Sequence, residues 1–415
     1  MATTNSFSTM LNEYLPNELL MEEVSKRMWA FQNIEHDESW LGGNLIVPFE
    51  GAGASSVQFA TLAGSTDVSE DAFVRGQVST QPELWGTMLF YQKDLWQHGK
   101  LSEQNLLKIL PDRVDNFMDY FKDVLSLNIL NGTKIATVTD ATNAATGIMI
   151  VSRIERFRIG QKVSLDDDND SAASYYVTAI NRDTKAITLS STRGGGAANV
   201  STYTVAQNAC LYWIGSQSTG MSSIRGALLS SANGGSSTLY GQTKTAYPYL
   251  QAINTDGSGI TGAANILDKI FDAYTDTRQK GKGMPDKCLL SYKNFGAVLK
   301  ALETGKGAFH QDQSSTKTSV YGWTEVKLLG PVGVLTCVVL QEIDDDVIYF
   351  LDTRPSCMKI YSNGGVRKRV APDGKEYFES RDTSAGYSYL IDIAFMGDFV
   401  LQRPSYCGVI YGISY

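Results

Sequence analysis

Asp166-Asp167-Asp168-Asn169-Asp170 begins as a calcium-binding loop begins, with carboxylates at the alternate positions 166, 168 and 170. The frame fails further on, because Ser171 stands where the loop needs glycine and Val177 where it needs a bidentate glutamate. A solvated turn is the reading that remains. Asp344-Asp345-Asp346 precedes an apolar run and is read the same way. Gly281-Lys282-Gly283 and Gly305-Lys306-Gly307 lack the spacing of a phosphate-binding loop and read as helix stops. Gly234-Gly235-Ser236-Ser237 offers no GxSxG frame for a nucleophile. His36-Asp37-Glu38 is a tempting triplet, but neighbours along a strand or helix point apart. His98 and His310 have no spaced partners. No catalytic, cofactor-binding or metal-ligating residue is expected, and the chain is not read as an enzyme.

Cys210, Cys288, Cys337, Cys357 and Cys407 are odd in number and far apart, with no CxxC pair. Buried free thiols are expected in place of a zinc site or a disulfide framework. With 415 residues, 43% of them hydrophobic, the chain can build two or three packed units. The formal net charge of -8 disfavours a DNA-reading role, since gripping phosphates needs a basic surface. An acidic wall that faces DNA without gripping it stays compatible with that charge. No apolar run reaches membrane-spanning length. The start, MATTNSFSTMLNEYLPNELL, lacks the basic and apolar parts of a signal peptide, so retention in a cytoplasm is expected.

Several stretches are too poor in apolar surface to stand alone. Residues 1–40 form an arm whose Tyr14, Leu15, Leu19, Leu20, Val24 and Met28 follow an imperfect helical period, ending in Trp29, Phe31 and Trp40. Residues 41–92 hold a strand from Asn44 to Phe49, a glycine-rich bend and a returning strand from Ala72 to Ser79. That is a long two-stranded excursion with little to bury. Residues 100–131 carry the strongest helical signal, with Val114, Phe117, Met118, Phe121, Val124 and Leu125 on one face. Pro111-Asp112 marks a break or restart there, and Asn131-Gly132 a stop. From 153 to 215 the period becomes two, predicting a small all-β unit of five or six strands. Between 216 and 345 helices over Gly262–Thr277 and Tyr292–Leu302 alternate with strands such as Leu328–Leu340. From 346 the chain is β-rich, with Val347–Leu351, Met358–Tyr361 and Val366–Val370 as separate strands around a turn at Asn363-Gly364-Gly365. Tyr387–Phe395 and Phe399–Leu401 return.

This order of elements resembles the HK97-type major capsid proteins of tailed bacteriophages. Ser223-Ile224-Arg225-Gly226-Ala227-Leu228-Leu229, Gly234-Gly235-Ser236, Leu239-Tyr240-Gly241 and the ending Gly397-Asp398-Phe399-Val400-Leu401-Gln402-Arg403-Pro404 are similar to phage coat sequence. Each motif is weak alone, and the similarity lies in their order along nearly the whole chain. The resemblance implies an α+β, HK97-like fold. Its parts would be an N-terminal arm (1–40), an extended loop (41–92), a spine helix with the start of a peripheral domain (93–152) and an inserted β-domain (153–215). An axial α/β domain (216–345), peripheral strands (346–400) with a hairpin near 363–376, and a C-terminal strand (401–415) would follow.

By the same resemblance the function is self-assembly into pentamers and hexamers of an icosahedral head that encloses double-stranded DNA. The subunit would be made in the host bacterial cytoplasm and reside in the virion. Implied partners are copies of itself, a portal, the packaged DNA, a separate scaffolding protein (the arm is too short to contain one) and optionally a decoration protein. Contacts between subunits are expected at Phe49, Phe73 and Arg75 of the extended loop, and at Arg367, Lys368, Arg369, Asp373, Lys375 and Glu376. No lysine lies between Lys26 and Lys93, so a covalent lysine cross-link from that loop is not expected. The alternatives are an encapsulin-like compartment shell of the same fold and a β-rich tail or surface adhesin.

Overall fold

In a computed structural model of the chain, the described residues are 20, 24, 28–52, 72–78, 81–91, 103–140, 144–165, 174–198, 200, 210–214, 216, 220–304, 326–330, 333–370, 378–382 and 386–414. They divide into two compact units, Met1–Ser126 with Ser223–Tyr415, and Leu127–Ser222. The calcium-like stretch 166–170, His98, His310 and 305–307 fall outside the described residues.

The first unit opens with the short helix α1 (Trp29–Asn33) and strand β1 (Glu35–Asp37). Leu20, Val24 and Met28, spaced as one face of a helix, are all buried within the chain itself, as are Trp29, Ala30 and Phe31. Strands β2 (Leu45–Ala52) and β3 (Ala72–Val78) make a two-stranded antiparallel ribbon. Strand β4 (Glu83–Tyr91) then leaves the ribbon and joins the main sheet, so the extended loop is shorter than the 41–92 expected. Helix α2 (Glu103–Asn131) runs 29 residues, about 43 Å at 1.5 Å per residue. Pro111 does not break it. Val114, Met118, Phe121, Val124 and Leu125 form its buried stripe, and Gly132 closes it by donating its N–H to Asn128 O at 2.9 Å.

The second unit is a closed six-stranded barrel of β5 (Lys134–Asp140), β6 (Ile148–Val151), β7 (Lys162–Leu165), β8 (Ser174–Asn181), β9 (Ala186–Ser190) and β10 (Cys210–Trp213). The barrel therefore begins at Lys134, before the expected 153, because β5 and β6 are two of its staves. Its interior is filled by Ile135, Val138, Met149, Val151, Val163, Leu165, Val177, Ile187, Leu189 and Leu211. Alternation along each strand sends these side chains inward, and closure leaves no open edge.

The first unit resumes with α3 (Ile224–Leu228) and the small hairpin β11 (Thr238–Leu239) and β12 (Gln242–Thr243). Next come β13 (Ile253–Asp256), α4 (Ile266–Gly281), β14 (Lys287–Leu290), α5 (Tyr292–Thr304), β15 (Val326–Gly330), β16 (Gly333–Val339) and β17 (Val347–Leu351). The chain ends with β18 (Met358–Lys368), β19 (Phe378–Asp382), β20 (Gly386–Leu401) and β21 (Gly408–Tyr411).

Six of these strands form one mixed sheet in the order β13-β21-β17-β14-β16-β15. Strand β17, Val347 to Leu351, is buried at every position, as an apolar run with both faces covered must be. Helices α4 and α5 bury Ile266, Ile270, Ala273, Ala297, Val298 and Leu302 in the core that this sheet shares. Strand β17, expected among the peripheral strands 346–400, thus belongs to the α/β body, and the C-terminal strand β21 pairs with it there.

The second large sheet is built around β20, 16 residues long. One edge of β20 pairs with β18 and then β19, the other with β4, and β1 lies parallel beyond β18. The expected turn at Asn363-Gly364-Gly365 is instead a bulge within β18, where the register shifts between Ser362 and Val366. The element order of arm, ribbon, long helix, β insert, α/β body and returning strands is the one the resemblance implies.

Candidate assembly surfaces

The exposed face of the β20 sheet follows from strand alternation. On β4, Glu83, Trp85, Thr87 and Leu89 face outward, while Met88 and Phe90 are buried. Antiparallel partners share a face, so Trp85 stands opposite Ala394 and Thr87 opposite Asp392. On the far side of β20, Arg367 pairs with Ala394, and Arg369 extends the ladder by donating its N–H to Asp392 O at 2.9 Å. The Arg369 guanidinium sits over the Trp85 ring at 4.5 Å and over the Phe378 ring at 5.6 Å. Trp85 donates its indole N–H to Glu83 Oε2 at 2.8 Å, and Thr87 its hydroxyl to Asp392 Oδ1 at 2.7 Å. The result is a cationic strip over aromatic ground, held in place from three strands.

The basic triplet is split by the same alternation. Arg367 and Arg369 are exposed, whereas Lys368 is 3% exposed and faces the interior. Lys368 is therefore withdrawn from the surface expected to meet a neighbour. Asp373, Lys375 and Glu376 lie outside the described residues. The hairpin near 363–376 loses its first half to the continuous strand β18.

The underside of this sheet receives the long helix. Gly86 lies so close to Phe117 that a Cβ there would fall 2.5 Å from the Phe117 Cζ. Phe117 and Phe121 stack on one another at 6.3 Å between ring centroids. Gly86 is missing a side chain where the helix needs room.

The ribbon meets its own chain at the β11–β12 hairpin. Tyr240, in a left-handed conformation at φ 48°, accepts the Gln77 N–H on its carbonyl at 2.9 Å. Its ring stacks on Phe49 with centroids 5.8 Å apart and planes 8° off parallel. Its hydroxyl accepts the Leu401 N–H at 2.8 Å and donates to Phe399 O at 3.3 Å. Burial pushes the phenol well above its usual range, and nearby Asp398 pushes the same way. Gln242 adds a bond from Nε2 to Arg75 O at 3.0 Å.

Phe49, expected to contact a neighbour, is 2% exposed and spends its ring inside its own chain. Arg75 is exposed on β3, and of Phe73 the backbone alone is described, opposite Glu50.

A third cluster, missed at the sequence level, fixes the start of the α/β body. Arg225 Nη2 bonds Asp346 Oδ2 at 2.8 Å, and Nη1 bonds Asp344 Oδ2 and Asp346 Oδ1, each at 3.1 Å. Burial pulls this guanidinium down, but Tyr349, Asp346 and Asp344 outweigh it and hold it above its usual value. The acidic turn 344–346 is thus a clamp and not merely solvated. Beside it, Ser223 caps α3 by accepting the Gly226 N–H at 3.0 Å. Lys244, 5% exposed, donates from Nζ to Gly226 O at 2.7 Å and Leu229 O at 2.9 Å. Burial brings its amine down to about 8. The Ser223–Leu229 and Leu239–Gly241 stretches, which carry the resemblance, are where these contacts concentrate.

None of the five cysteines is in a disulfide; four of them are buried and Cys210 is half-buried. Among the described residues there is no cluster of three or more His, Cys, Asp or Glu that could hold a metal ion. Among them, too, no helix is long and apolar enough to cross a membrane.

No family model and no curated protein matches the chain. Solved structures do. Over 92% of this chain and 91% of the other, it is similar to a chain of the cyanophage A-1(L) capsid asymmetric unit, at 10% identity and a TM-score of 0.48. It is similar to a chain of the capsid of an empty GTA particle at 8% identity over 93% and 90% of the two chains, with a TM-score of 0.47. A virus-like particle from Pyrococcus furiosus shares 8% identity over 95% and 96%, with a TM-score of 0.40.

Proposed function

We propose that this chain is the subunit of a closed protein shell, an HK97-type major capsid protein that assembles as pentamers and hexamers into an icosahedral phage head around double-stranded DNA. The observation that carries the reading is the ribbon. Strands β2 and β3 pair only with each other among the described residues, and a two-stranded ribbon is marginal in water by itself. Its root is fastened to Tyr240, while residues 53–71 between the strands carry Val57, Phe59, Leu62 and Val68 as their only large apolar side chains. A ribbon of this kind gains stability by lying on another copy of the same molecule.

The second support is the Arg367–Arg369 strip. It is exposed, rigidly backed and chemically matched to a carboxylate-bearing neighbour. Residues 53–71 contain Asp67, Glu70 and Asp71 with no Lys or Arg, which fits such a partner. Stability of the shell then comes from non-covalent contact area, since the ribbon offers no lysine for a cross-link. In this reading the role is structural and not enzymatic. The location is the virion after assembly in the host bacterial cytoplasm, and a separate scaffolding protein, a portal and optionally a decoration protein are the partners.

Electron microscopy of the purified, over-expressed chain tests this. Uniform closed shells or capsomer sheets are expected. A chain that stays monomeric at high concentration and turns over a substrate overturns it.

A further inference from the structure

We propose that Tyr240 is a positioning residue that sets the angle at which the ribbon leaves the body, and so decides whether subunits close into a shell. This rests on the shell reading above. Four contacts converge on one side chain and its peptide. The carbonyl holds the ribbon at Gln77, the ring holds it at Phe49, and the hydroxyl holds β20 at both Phe399 and Leu401. The ribbon and the 16-residue strand β20 thus share one rigid connector.

Two features show that this junction is built with no slack. A Cβ on Gly76 would fall 2.4 Å from the Phe49 ring and 3.0 Å from the Tyr240 Cβ, so the stack fits only over a bare backbone. Tyr240 itself holds a left-handed φ of 48°, which a bulky residue rarely adopts unless its surroundings compel it. A hinge that tolerates many angles needs neither feature. A ribbon that must reach the same point on every neighbour needs both.

The test separates angle from general stability. Tyr240→Phe keeps the ring and removes the hydroxyl that bridges Phe399 and Leu401. Gly76→Ala keeps Tyr240 and displaces the stack. Leu289→Ala, in a buried strand of the other sheet, serves as a control that lowers stability without touching the junction. Hydrogen exchange on the unassembled chain is expected to show amides of 45–52 and 72–78 exchanging about tenfold faster in both junction variants, with β17 unchanged. Closed-particle yield is expected to fall about tenfold at temperatures where the circular dichroism spectrum is still native. Equal loss of particles and of ribbon protection in Leu289→Ala overturns the proposal, as does full ribbon protection in Tyr240→Phe. If the wild-type chain forms no shells, the shell reading fails by itself and the exchange result alone decides whether Tyr240 fixes the ribbon.

Discussion

Arg225 holds Asp346 through two parallel hydrogen bonds, at 2.8 Å and 3.1 Å, and shares one of the same nitrogens with Asp344. The fork joins α3 to the turn that feeds β17. Tyr349, wholly buried, lies beside it, and burial raises its phenol too. Replacing Arg225 by Met leaves two carboxylates facing each other over an apolar strand. Because Asp346 is partly exposed to solvent, removing the guanidinium is expected to cost about 1–2 kcal/mol, read as a fall in the urea midpoint of the unassembled chain. Adding Asp344→Asn and Asp346→Asn to that background is expected to recover part of the loss. No recovery would mean that Arg225 matters for packing and not for charge.

Gly86 and Phe117 make the next prediction. A methyl group at 86 would meet the ring at 2.5 Å, inside any real Cβ contact. Gly86→Ala must push the long helix or its ring away from the sheet, at an expected cost of about 1–3 kcal/mol. Phe117→Leu in the same chain vacates the ring and is expected to relieve the clash. Thermal unfolding of the single and double variants checks the pair, and simple additivity would argue against a shared contact.

Lys244 gives a pH dependence with a defined sign. Its amine is at about 8 in the folded chain against 10.5 when free, so between those values the unfolded chain holds more protons. Stability contributed by this site therefore rises as pH climbs from 8 towards 10.5. The neutral amine still has two donors for Gly226 O and Leu229 O. Lys244→Met removes the titration. Urea midpoints at pH 7.5 and 9.5 are expected to diverge in favour of the wild type at the higher pH, and parallel curves would contradict the assignment.

The cationic strip should matter to assembly and hardly at all to folding. Arg369 over Trp85 is an exposed cation–π contact worth about 0.5–1 kcal/mol. Arg367→Glu with Arg369→Glu is expected to leave the melting of the unassembled chain nearly unchanged while abolishing particles. Raised salt is expected to weaken wild-type assembly in the same direction, because exposed charges are screened. Light scattering during assembly reads both effects, and particles of normal yield from the double variant would remove this face from the interface.

Local pattern alone was enough for much of this protein. The stripe Val114 to Leu125, the alternation of Val177, Ile187 and Leu189, and the apolar run Val347 to Leu351 each announce a burial that the fold carries out. Those are short-range properties, in which periodicity states which side must be dry. Three things were decided at longer range. Whether Asn363-Gly364-Gly365 turns or bulges depended on β20, which pairs with β18 on both sides of it. Where the barrel begins depended on β5 finding β10, more than sixty residues later. The role of Tyr240 and of Asp344–Asp346 depended on partners over a hundred residues away, Phe399 and Arg225. Period two or 3.6 says which face is buried, but it carries no information about which distant segment does the burying. That choice is made by shape and by unmet hydrogen bonds once the chain has collapsed.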